Sequence, residues 1–240
     1  MELSQQCALV TGGTAGIGLA SARLLAQAGA SVMITGRDAD RGAAAAAGIG
    51  PRARFIQADL SDIRAVNELV KQVGTVDVLV NNAASFPAAL TVDQEVSSFE
   101  RTYGTNVRGL YFLTAGLVPG MLQQGRGSIV NVTTMVATKG IAGASAYSAS
   151  KAAVESLTRT WAVEFGPAGV RANSVAPGPT RTEGVQAEWG ESNEELGRSL
   201  PLGRTADPDE IAQAVLFLAS PRSSFVTGST LHVDGGGSAL

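Results

Sequence analysis

The chain has 240 residues, with 18 Lys and Arg against 21 Asp and Glu, and a formal net charge of −3 at pH 7. A hydrophobic content of 45% excludes a disordered chain, the lack of basic excess argues against a nucleic-acid binder, and no apolar run reaches the ~18 residues of a membrane span. One cysteine, Cys7, and one histidine, His232, exclude a disulfide framework and a Cys- or His-rich metal site, so no metal is expected.

From the N-terminus, MELSQQCALVTGG has no basic n-region and no long apolar h-region, which points to the cytoplasm. Short apolar runs then recur at 7–10, 31–35, 53–58, 76–80, 128–132, 170–175 and 230–233, several of them rich in Val and Ile. They read as strands buried on both faces. Amphipathic patterns at 17–28, 39–47, 63–73, 99–122, 148–165 and 209–218 read as helices. Regular alternation of the two predicts βαβ units and a parallel sheet covered by helices on both sides, in a single domain. Residues 83–98 read as a loop plus a weak helix. Residues 180–205 form the longest stretch without clear periodicity and carry Glu183, Glu188, Trp189, Glu191, Glu194 and Glu195. An irregular stretch of that length is expected to be a substrate lid.

The first strand runs into Thr11-Gly12-Gly13-Thr14-Ala15-Gly16-Ile17-Gly18, and a helix follows. The spacing Gly12-x3-Gly16-x-Gly18 is not the literal GxGxxG, but the physics is shared. Glycines permit the tight turn and let the backbone approach a pyrophosphate, and the helix N-terminus offers N–H groups and a positive dipole end. Candidate cofactor contacts here are Gly12, Thr14, Gly16, Ile17 and Gly18.

Further along come Asn81-Asn82-Ala83-Ala84, Tyr147-Ser148-Ala149-Ser150-Lys151 and Pro177-Gly178-Pro179-Thr180-Arg181-Thr182. Together with the glycine loop, in this order, they resemble the short-chain dehydrogenase/reductase family from about residue 5 to Gly237. The resemblance implies a Rossmann-type three-layer α/β/α domain with a seven-stranded parallel sheet in order 3-2-1-4-5-6-7. It also implies a nicotinamide cofactor, hydride transfer at a carbonyl/alcohol centre, and a homotetramer or homodimer.

Residue by residue, the resemblance makes Tyr147 the general acid/base and Lys151 its partner, which also binds the nicotinamide ribose. The two are four apart and share one helix face. A nearby ammonium is expected to lower the tyrosine pKa from its ordinary value of ~10. The family places a serine 13 residues before the tyrosine; here that position is Thr134, expected to hydrogen-bond the substrate oxygen with a more restricted χ1. Asn106 matches a family asparagine that supports a water relay to the lysine. Asn82 and Ala83 lie on the expected adenosine-ribose path, where Ala84 replaces the usual glycine. Asp59, followed by Leu60, matches the residue that contacts the adenine amino group. Pro177 and Gly178 are expected to position the carboxamide, Thr180 to offer backbone contacts, and Thr182 a hydroxyl near the phosphate.

The second strand ends Thr35-Gly36-Arg37-Asp38, without the acidic residue that binds a ribose 2′-OH in NAD enzymes. Gly36 occupies the acidic position and Arg37 follows, which favours NADP(H), with NAD(H) as the alternative. Asp38 either pairs with Arg37 or caps the next helix. The expected function is an oxidoreductase acting between NADP(H) and a ketone or secondary alcohol. A 3-oxoacyl-carrier-protein reductase is one subtype, and a nicotinamide-binding sensor or partner protein with weak catalysis is the competing class. Ala84, Phe86, Val136, Ala144, Val185 and Trp189 are candidate walls of the substrate pocket. His232, Cys7, Trp161 and Phe165 read as structural.

Overall fold

The seven apolar runs form seven parallel strands: β1 (Cys7–Thr11), β2 (Ser31–Gly36), β3 (Ala53–Gln57), β4 (Val78–Asn81), β5 (Gly127–Val132), β6 (Val170–Pro177) and β7 (Thr230–Val233). The computed structural model describes residues 1–240, and its strands make one sheet in the order β3-β2-β1-β4-β5-β6-β7. Successive side chains of a strand point to opposite faces, which places the core in two layers. Leu9, Leu79 and Ile129 face one layer, while Ala8, Val10, Val78, Val80, Val130 and Val132 face the other.

The first layer is closed by α3 (Ile63–Val73), α5 (Leu110–Gln124) and α6 (Ser145–Phe165), through side chains such as Val66, Leu69, Leu113, Leu117, Val154 and Trp161. The second is closed by α1 (Gly16–Gln27), α2 (Ala39–Ile49) and α9 (Pro208–Ala219), through Ala22, Leu25, Ala45, Ile211 and Val215. No helix is long and apolar enough to cross a membrane.

Three expectations need correction. The pattern read as one helix over 99–122 is α4 (Val96–Tyr103), a π-helical turn over Gly104–Gly109, and then α5. The π turn falls where a Cβ on Gly109 would strike the carbonyl oxygen of Leu60. Such turns insert one residue without ending the helix, so the apolar stripe persists across them. The aperiodic stretch 180–205 contains two short helices, α7 (Glu183–Trp189) and α8 (Glu191–Arg198). Glu183, Gln186, Ala187 and Glu188 on α7 are exposed, so α7 carries no continuous apolar stripe for a sequence pattern to reveal. The helix read from Ser148 begins at Ser145, which brings Tyr147 into its first turn.

Candidate active site

The C-terminal ends of β1, β4, β5 and β6 open into one cleft of about 660 Å³. Its floor on the β1 side is the glycine loop. Gly12 and Gly16 have φ of +62° and +51°, the left-handed region that favours glycine. Gly18 is required by proximity instead: a Cβ there would collide with the Gly12 carbonyl oxygen and Asn82 Nδ2. Helix α1 has no side-chain cap at Ala15 and no acidic residue in its first turn, so its leading N–H groups remain open to an anion. This open, glycine-built cradle at a helix N-terminus fits a dinucleotide pyrophosphate.

Asn82 braces the loop. Its Nδ2 donates to the carbonyls of Thr11 (2.9 Å) and Gly12 (3.1 Å), while the Thr11 hydroxyl accepts from the N–H of Asn82 and of Ala83, both at 3.0 Å. Ala83 and Ala84 line the cleft beside it. On the opposite side Pro177, Gly178, Thr180 and Thr182 line the cleft. Thr182 caps α7 by accepting from Val185 N–H at 3.1 Å, and a Cβ on Gly16 would sit 2.9 Å from its methyl.

The reactive groups sit at the end of β5 and the start of α6. Lys151 is 1% exposed, and its Nζ donates to the Val132 carbonyl at 2.7 Å, 5.9 Å from the Tyr147 ring centre. Burial lowers the Lys151 pKa to about 8. Tyr147 is half-buried and faces the cleft, yet the protein packed around it desolvates the phenol and raises its pKa to about 12. The Thr134 hydroxyl beside it favours the phenolate and offsets only part of that rise. The expectation that Lys151 lowers the tyrosine pKa therefore does not hold in the cofactor-free molecule: burial is the dominant cause. Thr134 begins a short 3₁₀ turn and accepts from Val136 N–H at 3.4 Å, which faces its side chain into the cleft.

Some sequence-read residues lie outside the cleft lining. Asn106, fully buried in the π turn, spends its side chain on Ser85 N–H (2.7 Å), the Ser85 carbonyl (2.8 Å) and Ser150 Oγ (2.9 Å). Its amide clamps the 83–90 loop to α6 and makes no contact with Lys151. Asp59 accepts from Ser61 N–H and Oγ at 2.9 and 2.8 Å, and Asp62 caps α3 in its place. The side chain of Leu60 belongs to the core. Thr14 packs beneath Gly36, where a Cβ would sit 2.9 Å from the Thr14 methyl. Arg37 is exposed and forms no ion pair, and Gln57 Nε2 donates to its carbonyl at 2.8 Å. Asp38 caps α2 by accepting from Arg41 N–H at 2.9 Å, which decides between its two readings.

The six residues read as pocket walls, Ala84, Phe86, Val136, Ala144, Val185 and Trp189, all line the cleft. Sequence reasoning missed Met135, Ile141, Ala142, Ser192, Asn193, Glu195 and Leu196. Those on α8 carry no motif, and Ile141 and Ala142 sit in a turn whose facing is set only by tertiary packing. The Phe86 ring meets Tyr147 edge-on at 6.0 Å, and Glu188 on α7 accepts from Ala88 N–H at 2.7 Å, joining two walls of the cleft.

A doubly wound sheet with a glycine loop on one side of a cleft and a Tyr–Lys pair on the other defines a Rossmann-type enzyme built for dinucleotide-dependent acid–base chemistry. Residues 12–238 match the family described as enoyl-(acyl carrier protein) reductase. The chain is similar to a 3-oxoacyl-[acyl-carrier-protein] reductase of Thermotoga maritima, at 37% identity over 98% of this chain and 99% of that protein. A solved short chain dehydrogenase/reductase family protein superposes with a TM-score of 0.97 at 61% identity, each chain covered in full. The 3-ketoacyl-(acyl-carrier-protein) reductase of Brucella melitensis, complexed with NADH, gives a TM-score of 0.93 at 34% identity over 98% of this chain and 99% of that one. The chain belongs to the short-chain dehydrogenase/reductase family and is an oxidoreductase acting between CH–OH and C=O groups.

Proposed function

We propose that this enzyme reduces a ketone to a secondary alcohol with NADPH, in a single domain whose 180–205 segment closes over the substrate as a lid. The observation that carries the reading is the placement of Tyr147, Thr134 and Lys151 in the same cleft as the glycine loop. Bound at the loop, the cofactor supplies hydride to the carbonyl carbon. The chain supplies the rest. The α1 N-terminus and Thr182 hold the pyrophosphate, and Pro177 and Gly178 position the nicotinamide end. The Thr134 hydroxyl donates to the substrate oxygen, where charge builds in the transition state. Tyr147 gives its phenolic proton to that oxygen. A pKa near 12 keeps the phenol protonated at neutral pH, which suits an acid in the reductive direction. Lys151 beside it stabilises the phenolate that is left.

Arg37 carries the NADP(H) preference. It is exposed, unpaired and next to Gly36, where no carboxylate opposes a 2′-phosphate. NADH carried by a relative at 34% identity keeps NAD(H) as the second reading. Exposed apolar side chains on α4 to α6 (Val96, Phe99, Tyr111, Phe112 and Val163) support a homotetramer or homodimer, and the compartment that fits is the cytoplasm. The test is NADPH- and NADH-dependent turnover of a ketone panel by wild type and Tyr147→Phe. Turnover that survives loss of the phenol overturns the proposed chemistry. Tight NADPH binding without turnover of any ketone favours the sensor reading.

A further inference from the structure

The cleft also limits the class of substrate, an inference that rests on the reductase reading above. Charge is scarce within it. Among the side chains that line it, only Lys151 and Glu195 are charged at neutral pH. Lys151 is buried and its ammonium is held by the Val132 carbonyl. The cations of neighbouring elements are engaged elsewhere. Arg181 grips Glu194 at 2.8 and 3.2 Å and reaches Asp207 at 3.4 Å. Arg41 faces Glu183 at 3.9 Å, and Lys139 donates to the Gly237 carbonyl at 3.0 Å. Arg198, on α8 itself, is exposed and does not line the cleft. A substrate carboxylate or phosphate placed beside Tyr147 would give up water and find no free guanidinium or ammonium, a costly exchange.

The walls are correspondingly apolar. Phe86, Val136, Ile141, Val185, Trp189 and Leu196 surround the space in front of Tyr147 and Thr134. Phe86 lies edge-on to Tyr147, and a Cβ added to Gly184 would come 3.2 Å from Phe86 Cζ, so the apolar wall continues from the proton donor to α7. We infer that the substrate is a neutral ketone or secondary alcohol on an apolar body, and that Glu195, the sole carboxylate on the wall, discriminates against anionic ketones.

Matched pairs test this: ethyl benzoylformate against benzoylformate, and ethyl 3-oxobutanoate against 3-oxobutanoate, each with saturating NADPH. In wild type the ester is expected to exceed its anion in kcat/KM by about tenfold or more, the size of one opposed charge at intermediate dielectric. The ester-to-anion ratio is expected to fall by about threefold in Glu195→Gln and further in Glu195→Lys. Because each ratio is taken within one variant, a general loss of activity does not mimic the effect. Anions reduced as efficiently as their esters overturn the inference and leave the reductase reading standing. A ratio unmoved by both substitutions removes Glu195 from it. Absence of turnover with every ketone, using either NADPH or NADH, overturns the reductase reading and this inference together.

Discussion

The Nζ of Lys151 donates to the carbonyl oxygen of Val132 at 2.7 Å, in a position that is 1% exposed. One buried ammonium is thereby anchored to the last residue of β5, immediately before Thr133 and Thr134. The same backbone strand that aims Thr134 into the cleft also sets the depth of the lysine behind Tyr147.

That burial makes stability depend on pH in a specified direction. Lys151 titrates at about 8 in the folded chain against 10.5 ordinarily. Between those values the unfolded chain binds more protons, so the group adds stability as pH rises through this window and lowers it below the folded pKa. The unfolding free energy of wild type relative to Lys151→Met is expected to rise between about pH 8 and pH 10.5, by up to about 3 kcal/mol. Urea denaturation of both proteins at the two ends of the window checks this, and a flat difference refutes it.

Thr134 is the position that departs from the family serine. Thr134→Val keeps the shape and removes the hydroxyl, so kcat/KM for a ketone is expected to drop by about a hundredfold, the usual cost of losing one donor to a developing oxyanion. Thr134→Ser is expected to retain activity within a few-fold, since the donor persists and only the methyl is lost. Steady-state NADPH oxidation measures both.

Arg37 stands free because Asp38 is committed to capping α2 through Arg41 N–H. Arg37→Ala is expected to raise the Kd for NADPH by about tenfold or more, the worth of one charge-assisted phosphate contact, with a much smaller change for NADH. Fluorescence titration with the two cofactors reads the ratio directly. Equal losses for both would assign Arg37 to adenine stacking instead.

Glu188 reaches across the cleft to Ala88 N–H at 2.7 Å and joins α7 to the 83–90 loop. Glu188→Ala is expected to raise the KM for ketone several-fold through a looser wall. Glu188→Gln, which keeps an acceptor, restores most of it. The carboxylate is exposed, so the melting temperature should barely move. A drop in melting temperature matching the loss of activity would mark the contact as structural only.

Much of the molecule was legible before any coordinate. Strands such as Leu79–Val80 and Ile129–Val130 announce themselves because both faces are buried and both must be apolar. The glycine loop is readable because Gly12 and Gly16 need φ values other residues resist, and Gly18 needs a carbonyl within reach of its missing side chain. These are local constraints, and a sequence records local constraints well. The break in the 99–122 helix was hidden because a π turn shifts register without disturbing composition.

What only the tertiary structure decided concerns groups whose behaviour depends on distant neighbours. The side chain of Asn106 is taken up by Ser85 and Ser150, 21 and 44 residues away, so it braces the cleft without touching Lys151. The phenol of Tyr147 is raised rather than lowered, because desolvation is set by all the protein around it and not by the residue four positions on. Asp38 caps α2 and leaves Arg37 unopposed. Glu195 faces the cleft because α8 folds back over it. By itself, then, the sequence determined the sheet, its cofactor turn and the identity of the reactive pair, through spacing and backbone sterics. The charge of the cleft, the pKa values within it and the walls that select the substrate came from packing, since electrostatics and burial are sums over space rather than along the chain.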